Sequence, residues 1–405
     1  MRRYLLILII SFVALALGSG ATPAVASSLQ ESSFTQTGGT TGRGYVCVPS
    51  LLRRNPELCP GYGPGTTALR LAAIRLPDPL PALPVLEMPV QEGEPVTSRT
   101  YAHVITLPLN VYHHPVEAAM GLPPVRTMLS GDWWLSVDEL VDHEGQPWYR
   151  INEDEYVPAE ALALARPSRF QGVYLTEQPQ HPFAWINRWV QASAAPQGPP
   201  NEASAFDRYQ IVTIFAEERR GSEIWYLIGT DQWVEQSYTS RVDVNARPIE
   251  VGPEEKWIEV DLFEQTIAAY EGDRMVYATL ISSGRSGTAT PPGLYRVWYK
   301  VREGKMSNPD VEDGNPTYYY IEDVAWTLYF HEGYSIHTAF WHDAFGFQRS
   351  HGCVNLAPSD AHWFYHWSEP YLPDEQKTAY IPAGAPSTWV WVHFSSPFED
   401  EAPQQ

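Results

Sequence analysis

Prolines interrupt this chain so often, 36 of them in 405 residues alongside 28 glycines, that long helix interiors and long central strands are largely excluded. Proline lacks the N–H that both elements use, and its ring clashes with the preceding turn of a helix. Short strands joined by turns, with linkers between them, remain open. The run Leu76-Pro77-Asp78-Pro79-Leu80-Pro81-Ala82-Leu83-Pro84 is the extreme case and reads as an extended spacer. Material for buried cores is ample, since 44% of residues are hydrophobic and 13% aromatic, so the chain is not of the disordered class. The expectation is a mainly β protein, long enough for roughly two to four domains.

Charge narrows the partners. The formal net charge is −21, which repels phosphate backbones, so neither DNA nor other nucleic acid is expected as a partner. Basic or amine-bearing partners remain compatible. At the N-terminus, Arg2 and Arg3 precede an apolar run from Tyr4 to Leu17, and Ala24-Val25-Ala26 offers a small-residue cleavage site. Residues 1–26 therefore read as a signal peptide, with an uncleaved anchor as the other reading, and the remainder is expected outside the cytoplasm. Residues 27–98, rich in Ser, Thr, Gly and Pro, read as a linker or spacer. In an oxidising compartment Cys47 and Cys59 are able to close a small disulfide loop; two free thiols is the bland alternative. Either way Cys353 is the odd cysteine, and an odd cysteine in an exported protein points to intermolecular pairing or a reactive thiol.

Two segments echo each other. Trp148-Tyr149-Arg150-Ile151, followed by a polar turn and Tyr156-Val157, parallels Trp225-Tyr226-Leu227-Ile228 followed by Trp233-Val234, 77 residues later. Two copies of a small β unit, residues 99–166 and 170–246, account for this. Each resembles a bacterial SH3-like barrel on about ten residues. Contact with the wall or its glycan is one reading of these units and a packing spacer is the other.

From Trp257 the alternation of Ile258, Val260 and Leu262 with Glu259 and Asp261 predicts a half-buried strand. Glu271-Gly272-Asp273 reads as a turn, returning into a second strand from Met275 to Ile281. Thr290-Pro291-Pro292-Gly293 marks a loop before a strand at Leu294–Trp298, and Trp389–Val392 reads as the last strand. Only Ser359 to Trp367 reads as a helix. Residues 395–405 form an acidic tail.

The chemistry concentrates in Ile336-His337-Thr338 and Arg349-Ser350-His351-Gly352-Cys353-Val354-Asn355. A thiol of ordinary pKa is only a few per cent thiolate near neutral pH, and an adjacent imidazole raises that fraction. His351 lies two residues from Cys353, on the same side of an extended segment. His337, sixteen residues upstream, suits a neighbouring strand. Gly352 permits close backbone approach beside the sulfur, and N–H groups there suit an oxyanion. Other chemistries fit less well. His331-Glu332 opens like a zinc-protease motif, but Ser335 stands where the second His belongs, so no metal is expected. His362 and His366 sit among Trp363, Phe364 and Trp367, as on an aromatic packing face. Neither Ser350 nor Ser283 lies in a nucleophile elbow.

Ser350-His351-Gly352-Cys353-Val354-Asn355 with His337 upstream closely resembles the L,D-transpeptidase (YkuD-type) signature. The hairpin from Ile258, Ser283-Gly284, the Thr290–Gly293 turn and Pro382-Ala383-Gly384-Ala385-Pro386 are similar in order to other parts of that family, so the resemblance spans residues 255–394. It implies a β-sandwich catalytic domain with one short helix and no cofactor, acting on peptidoglycan stem peptides at the cell wall. In it Cys353 is the nucleophile and His337 the base, oriented by the Thr338 carbonyl. His351 supports the substrate or thiolate, and Ser350, Gly352 and Asn355 shape the loop. Residues 306–320 occupy the place of the family's lid, with Tyr318 and Tyr320 as substrate contacts; strand packing is the other reading of that tyrosine run. Transfer to an amine makes a cross-link, transfer to water makes an L,D-carboxypeptidase, and an inert domain leaves a wall-binding protein.

Overall fold

The computed structural model describes residue 74 and residues 76–88, 95–308, 310–373 and 375–396. Residues 1–26, read as a signal peptide, Cys47, Cys59, most of the stretch 27–98 read as a spacer, and Asp400-Glu401 of the tail lie outside the described residues.

Turns and prolines cut the chain into 28 short strands among the described residues, in chain order as follows. The edge strand β1 (Val85–Glu87) comes first. The first unit holds β2 (Thr100–Val104), β3 (Leu109–Val111), helix α1 (Pro115–Ala119), β4 (Arg126–Met128), β5 (Asp132–Val137), β6 (Glu139–His143), β7 (Gln146–Ile151), β8 (Glu155–Pro158), a 3-10 turn at Ala159–Ala161 and β9 (Leu162–Leu164). After β10 (Val173–Leu175), the second unit holds β11 (Phe183–Ile186), β12 (Val190–Ser193), β13 (Pro200–Phe206), β14 (Ile211–Thr213), β15 (Ala216–Arg220), β16 (Glu223–Gly229), β17 (Gln232–Glu235), a 3-10 turn at Gln236–Tyr238 and β18 (Thr239–Val242). The C-terminal part holds β19 (Lys256–Asp261), β20 (Thr266–Glu271), β21 (Arg274–Leu280), β22 (Gly293–Arg296), β23 (Tyr299–Ser307), β24 (Tyr319–His331), β25 (Tyr334–Thr338), β26 (Val354–Leu356), helix α2 (Pro358–Trp367), β27 (Thr378–Tyr380) and β28 (Trp389–His393).

The 77-residue echo extends beyond the aromatic strands. The series β6, β7, β8, 3-10 turn, β9 is matched in order by β15, β16, β17, 3-10 turn, β18, with the first strands starting at Glu139 and Ala216. Each unit buries its own core: Val111, Met128, Leu135, Ile151 and Val157 in the first, and Ile186, Ala192, Ile224, Tyr226 and Val234 in the second. The expected SH3-like closure is not found: no closed barrel forms among the described residues. In the first unit the strands divide among three sheets, because β5 and β2 are drawn into a sheet shared with β24 of the C-terminal part.

Two sheets face each other in the C-terminal part. One runs β1-β10-β21-β20-β19-β28-β22. The other runs β26-β25-β24-β5-β2-β9, with β23 also paired to β24 and β27 paired to β23. Ile258, Val260, Ile267 and Val390 from the first sheet meet Leu328, Phe330, Ile336 and Val354 from the second in one buried cluster, closed by Ala361, Phe364 and Tyr365 of α2. This is the β-sandwich with a short helix that the family resemblance implies. Asp360 pins α2 from below: its carboxylate accepts from Tyr277 Oη at 2.7 Å, Thr279 Oγ1 at 2.5 Å and the Gly172 N–H at 2.9 Å. Two strands of the first sheet come from stretches read as spacer and as second unit. Val85 pairs with Leu175, and Val173 with Ala278, so β1 and β10 extend that sheet.

Candidate active site

Parallel pairing of β25 with β26 matches His337 to Asn355, which sets Cys353, just before β26, level with Ser335. Alternation turns Ile336 into the core and puts Ser335 and His337 on one face. Both bear on the sulfur. Ser335 Oγ lies 3.6 Å from Cys353 Sγ, and His337 lines the same cavity as the sulfur and draws the thiol's titration down. His337 Nδ1 lies 2.9 Å from the Thr338 carbonyl oxygen. A carbonyl only accepts, so Nδ1 carries the hydrogen and Nε2 is left to exchange a proton with sulfur. Thr338 is itself buried, which fixes that carbonyl.

Burial pushes the half-buried Cys353 thiol up, but the hydrogen bond and attraction from His337, with hydrogen bonds from Ser335, outweigh it. The thiol therefore titrates below its ordinary value. Burial and the nearby Cys353 charge push the Tyr319 and Tyr329 phenols up, which keeps both neutral.

The loop before Cys353 is tied down by its own side chains. Ser350 Oγ donates to the Cys353 carbonyl at 2.5 Å and accepts from the Gly352 N–H at 3.0 Å. Thr290 Oγ1 donates to the Gly352 carbonyl at 2.7 Å, so the Thr290–Gly293 turn braces the same loop. Gly352 has φ +121°, and a Cβ there would approach Tyr334 Cε1 to 2.5 Å. Only glycine fits that position without strain. Asn355 exchanges backbone hydrogen bonds with Ser282 at 3.0 and 2.9 Å. Its side-chain amide lies 3.2 Å from His342 Nε2. Burial and the positive charge of Arg349 hold His342 down at about 4, so it is a neutral prop.

His351 lines the same cavity as Cys353, a space of about 420 Å³. Its Nε2 lies 3.0 Å from the Arg285 guanidinium, and its ring stacks on Tyr319 at 5.4 Å. Arginine only donates, so Nε2 accepts. Burial and then Arg285 push the imidazole down, leaving it a neutral part of the wall.

The tyrosines expected at a lid are placed differently. Tyr318 and Tyr320 pack on Trp133 of the first unit at 5.1 and 5.0 Å, while Tyr319 between them faces the cavity. The cause is strand alternation: Tyr319 and Tyr320 are the opening residues of β24, and Tyr319 pairs with Asp132 of β5. The chain from β23 to β24 is thereby fastened to the first unit, with Asp132 N–H donating to the Tyr318 carbonyl at 2.8 Å.

Sequence reasoning missed Ser335, Trp341 and Arg285, and it did not single out Tyr319 or Arg349 within the runs that hold them. Ser335 was findable, because it alternates with His337. Trp341 stacks on His337 at 5.9 Å from beyond the end of β25, which no spacing rule foretells. A second cavity, about 540 Å³, lies in the first unit between Tyr112, Trp148 and Glu160.

Comparison with known proteins follows this geometry. Residues 255–391, about a third of the chain, match the family model of the L,D-transpeptidase catalytic domain, YkuD. No curated protein sequence matches the chain. Among solved structures it is similar to the catalytic domain of an Enterococcus faecium L,D-transpeptidase, with 26% identity over 35% of this chain and 98% of that one, at a TM-score of 0.27. An L,D-transpeptidase from Stackebrandtia nassauensis is 24% identical over 36% of this chain, but the match spans only 60% of that protein, at a TM-score of 0.25. One from Mycobacterium smegmatis is 18% identical over 56% of this chain and 91% of that one, at a TM-score of 0.29. The segment that holds Cys353, His337 and the strands carrying them is the segment that matches the L,D-transpeptidase catalytic domain.

Proposed function

We propose that the chain is an exported, wall-associated L,D-transpeptidase that works through a cysteine acyl-enzyme on peptidoglycan stem peptides. The observation that carries this is the Cys353–His337 pair, with the imidazole tautomer set by the Thr338 carbonyl. The Cys353 thiolate attacks the carbonyl of the L-centre–D-Ala bond of a stem tetrapeptide. The carbonyl oxygen takes the charge, facing the Cys353 N–H; the Gly352 N–H is already committed to Ser350 Oγ. The His337 imidazolium gives its proton to the D-Ala nitrogen, the C–N bond breaks, and a thioester remains. In the second step an acceptor amine attacks the thioester carbon, the sulfur leaves as thiolate, and the surplus amine proton passes to His337. That restores the starting pair and leaves a cross-link.

The signal-like N-terminus fits export. Intact-protein mass spectrometry with a tetrapeptide donor tests the chemistry. The expected result is a covalent adduct lacking D-Ala on the wild type and none on Cys353→Ala. An adduct that survives Cys353→Ala would refute the assignment.

A further inference from the structure

The cavity over Cys353 is not built by residues 255–391 alone. His103 of β2 and Asp132 and Trp134 of β5, all from the first unit, line it together with Cys353 and His337. They are held as a group. His103 Nε2 lies 2.8 Å from Asp132 Oδ1, and the His103 ring stacks on Trp134 at 4.6 Å. Trp134 in turn meets Phe340 edge-on at 5.9 Å. The Asp132 side chain nevertheless keeps 58% of its surface open, so its second oxygen is available to a ligand. Arg285 of the β21–β22 loop and Arg349 of the β25–β26 loop line the same cavity.

This divides the cavity by charge, with a carboxylate on the wall from the first unit and two guanidiniums near the Cys353 loop. Under the proposed reaction, a tetrapeptide donor brings a terminal carboxylate, which suits the guanidiniums and is repelled by Asp132. An acidic, aromatic-backed wall suits the opposite group, a primary ammonium. We propose that His103, Asp132 and Trp134 form a recognition wall for a primary ammonium group of the peptide substrate. On this view the first unit is part of the active site. The inference rests on the acyl-transfer reading of Cys353. Two sources supply that ammonium: the amine that accepts the acyl group, or an amine side chain on the donor stem. Asp132 is a recognition residue here, and it takes no part in the bond exchange at sulfur.

The test uses the full chain with Asp132→Asn, which keeps the shape and removes the charge, and Asp132→Glu, which restores it. Three quantities are read: the rate of acyl-enzyme formation from a tetrapeptide, the split of product between cross-linked dimer and tripeptide, and covalent addition of a β-lactam that carries no amine. If the wall holds the acceptor, Asp132→Asn acylates at the wild-type rate and shifts the product split toward hydrolysis by about tenfold, as for a lost charge-assisted contact. If it holds the donor, acylation by the tetrapeptide falls by about the same factor while β-lactam addition is unchanged. Recovery with Asp132→Glu is expected in either case. A wild type that acylates, with Asp132→Asn within twofold of it in both peptide measurements, overturns the recognition wall alone. A wild type that never acylates overturns the parent reading and this inference with it.

Discussion

At the sulfur, two opposing effects meet: burial favours the neutral thiol, and His337 with Ser335 favours the thiolate. The balance lies with the thiolate, so alkylation of Cys353 should stay fast below the free-thiol pKa of about 8.5. Replacing His337 by Ala leaves burial opposed only by Ser335, and the inflection of the alkylation-rate profile should move upward. A wild-type profile with one inflection at the ordinary thiol value would contradict the pairing. At this scale the sequence was informative where chemistry is local. The run Ser350 to Asn355 and the alternation of His337 with Ser335 are both visible without coordinates. Tyr319 was harder, because Tyr318, Tyr319 and Tyr320 are identical side chains and only the phase of β24 decides which one faces sulfur.

Among the elements, β24 bears the most tension. Its Glu322 is buried against β5, accepting from the Ser136 N–H at 3.0 Å. Burial pushes its carboxyl up to about 7, against the pull of that N–H and of Arg126. A raised carboxyl means that the folded state holds a proton that the unfolded state gives up near pH 4.5. The associated stability is complete below that pH and is lost as pH rises through about 7. Thermal melts of Glu322→Gln should therefore lose less stability than wild type between those two pH values; parallel profiles would contradict this. Pattern reading located β19, the β20–β21 turn, α2 and β28, because each is signalled by its own residues. It did not find β1 or β10 in the catalytic sheet. Their pairing partners Leu175 and Ala278 lie far along the chain, and nothing in a three-residue strand announces its neighbour.

On the scale of the molecule, the first unit and the C-terminal part share a sheet and a core. Tyr101, Ile321, Val324 and Phe340 form one buried cluster across them, and Tyr101 Oη donates to the Asp323 carbonyl at 2.7 Å. A fragment of residues 255–394 would expose Ile321, Val324 and Phe340, each worth roughly 1.5–3 kcal/mol when buried. Such a fragment should melt well below residues 76–396 and bind hydrophobic dyes; equal melting temperatures would show that the shared core matters little. The β5–β24 contact joins positions roughly 190 residues apart, with the entire second unit between them. An exported chain emerges with its N-terminal end first, so β5 already stands as a template when β24 follows. The opening residues of β24, Tyr319 to Ile321, then have a partner strand waiting, and their edge need never face a neighbouring chain.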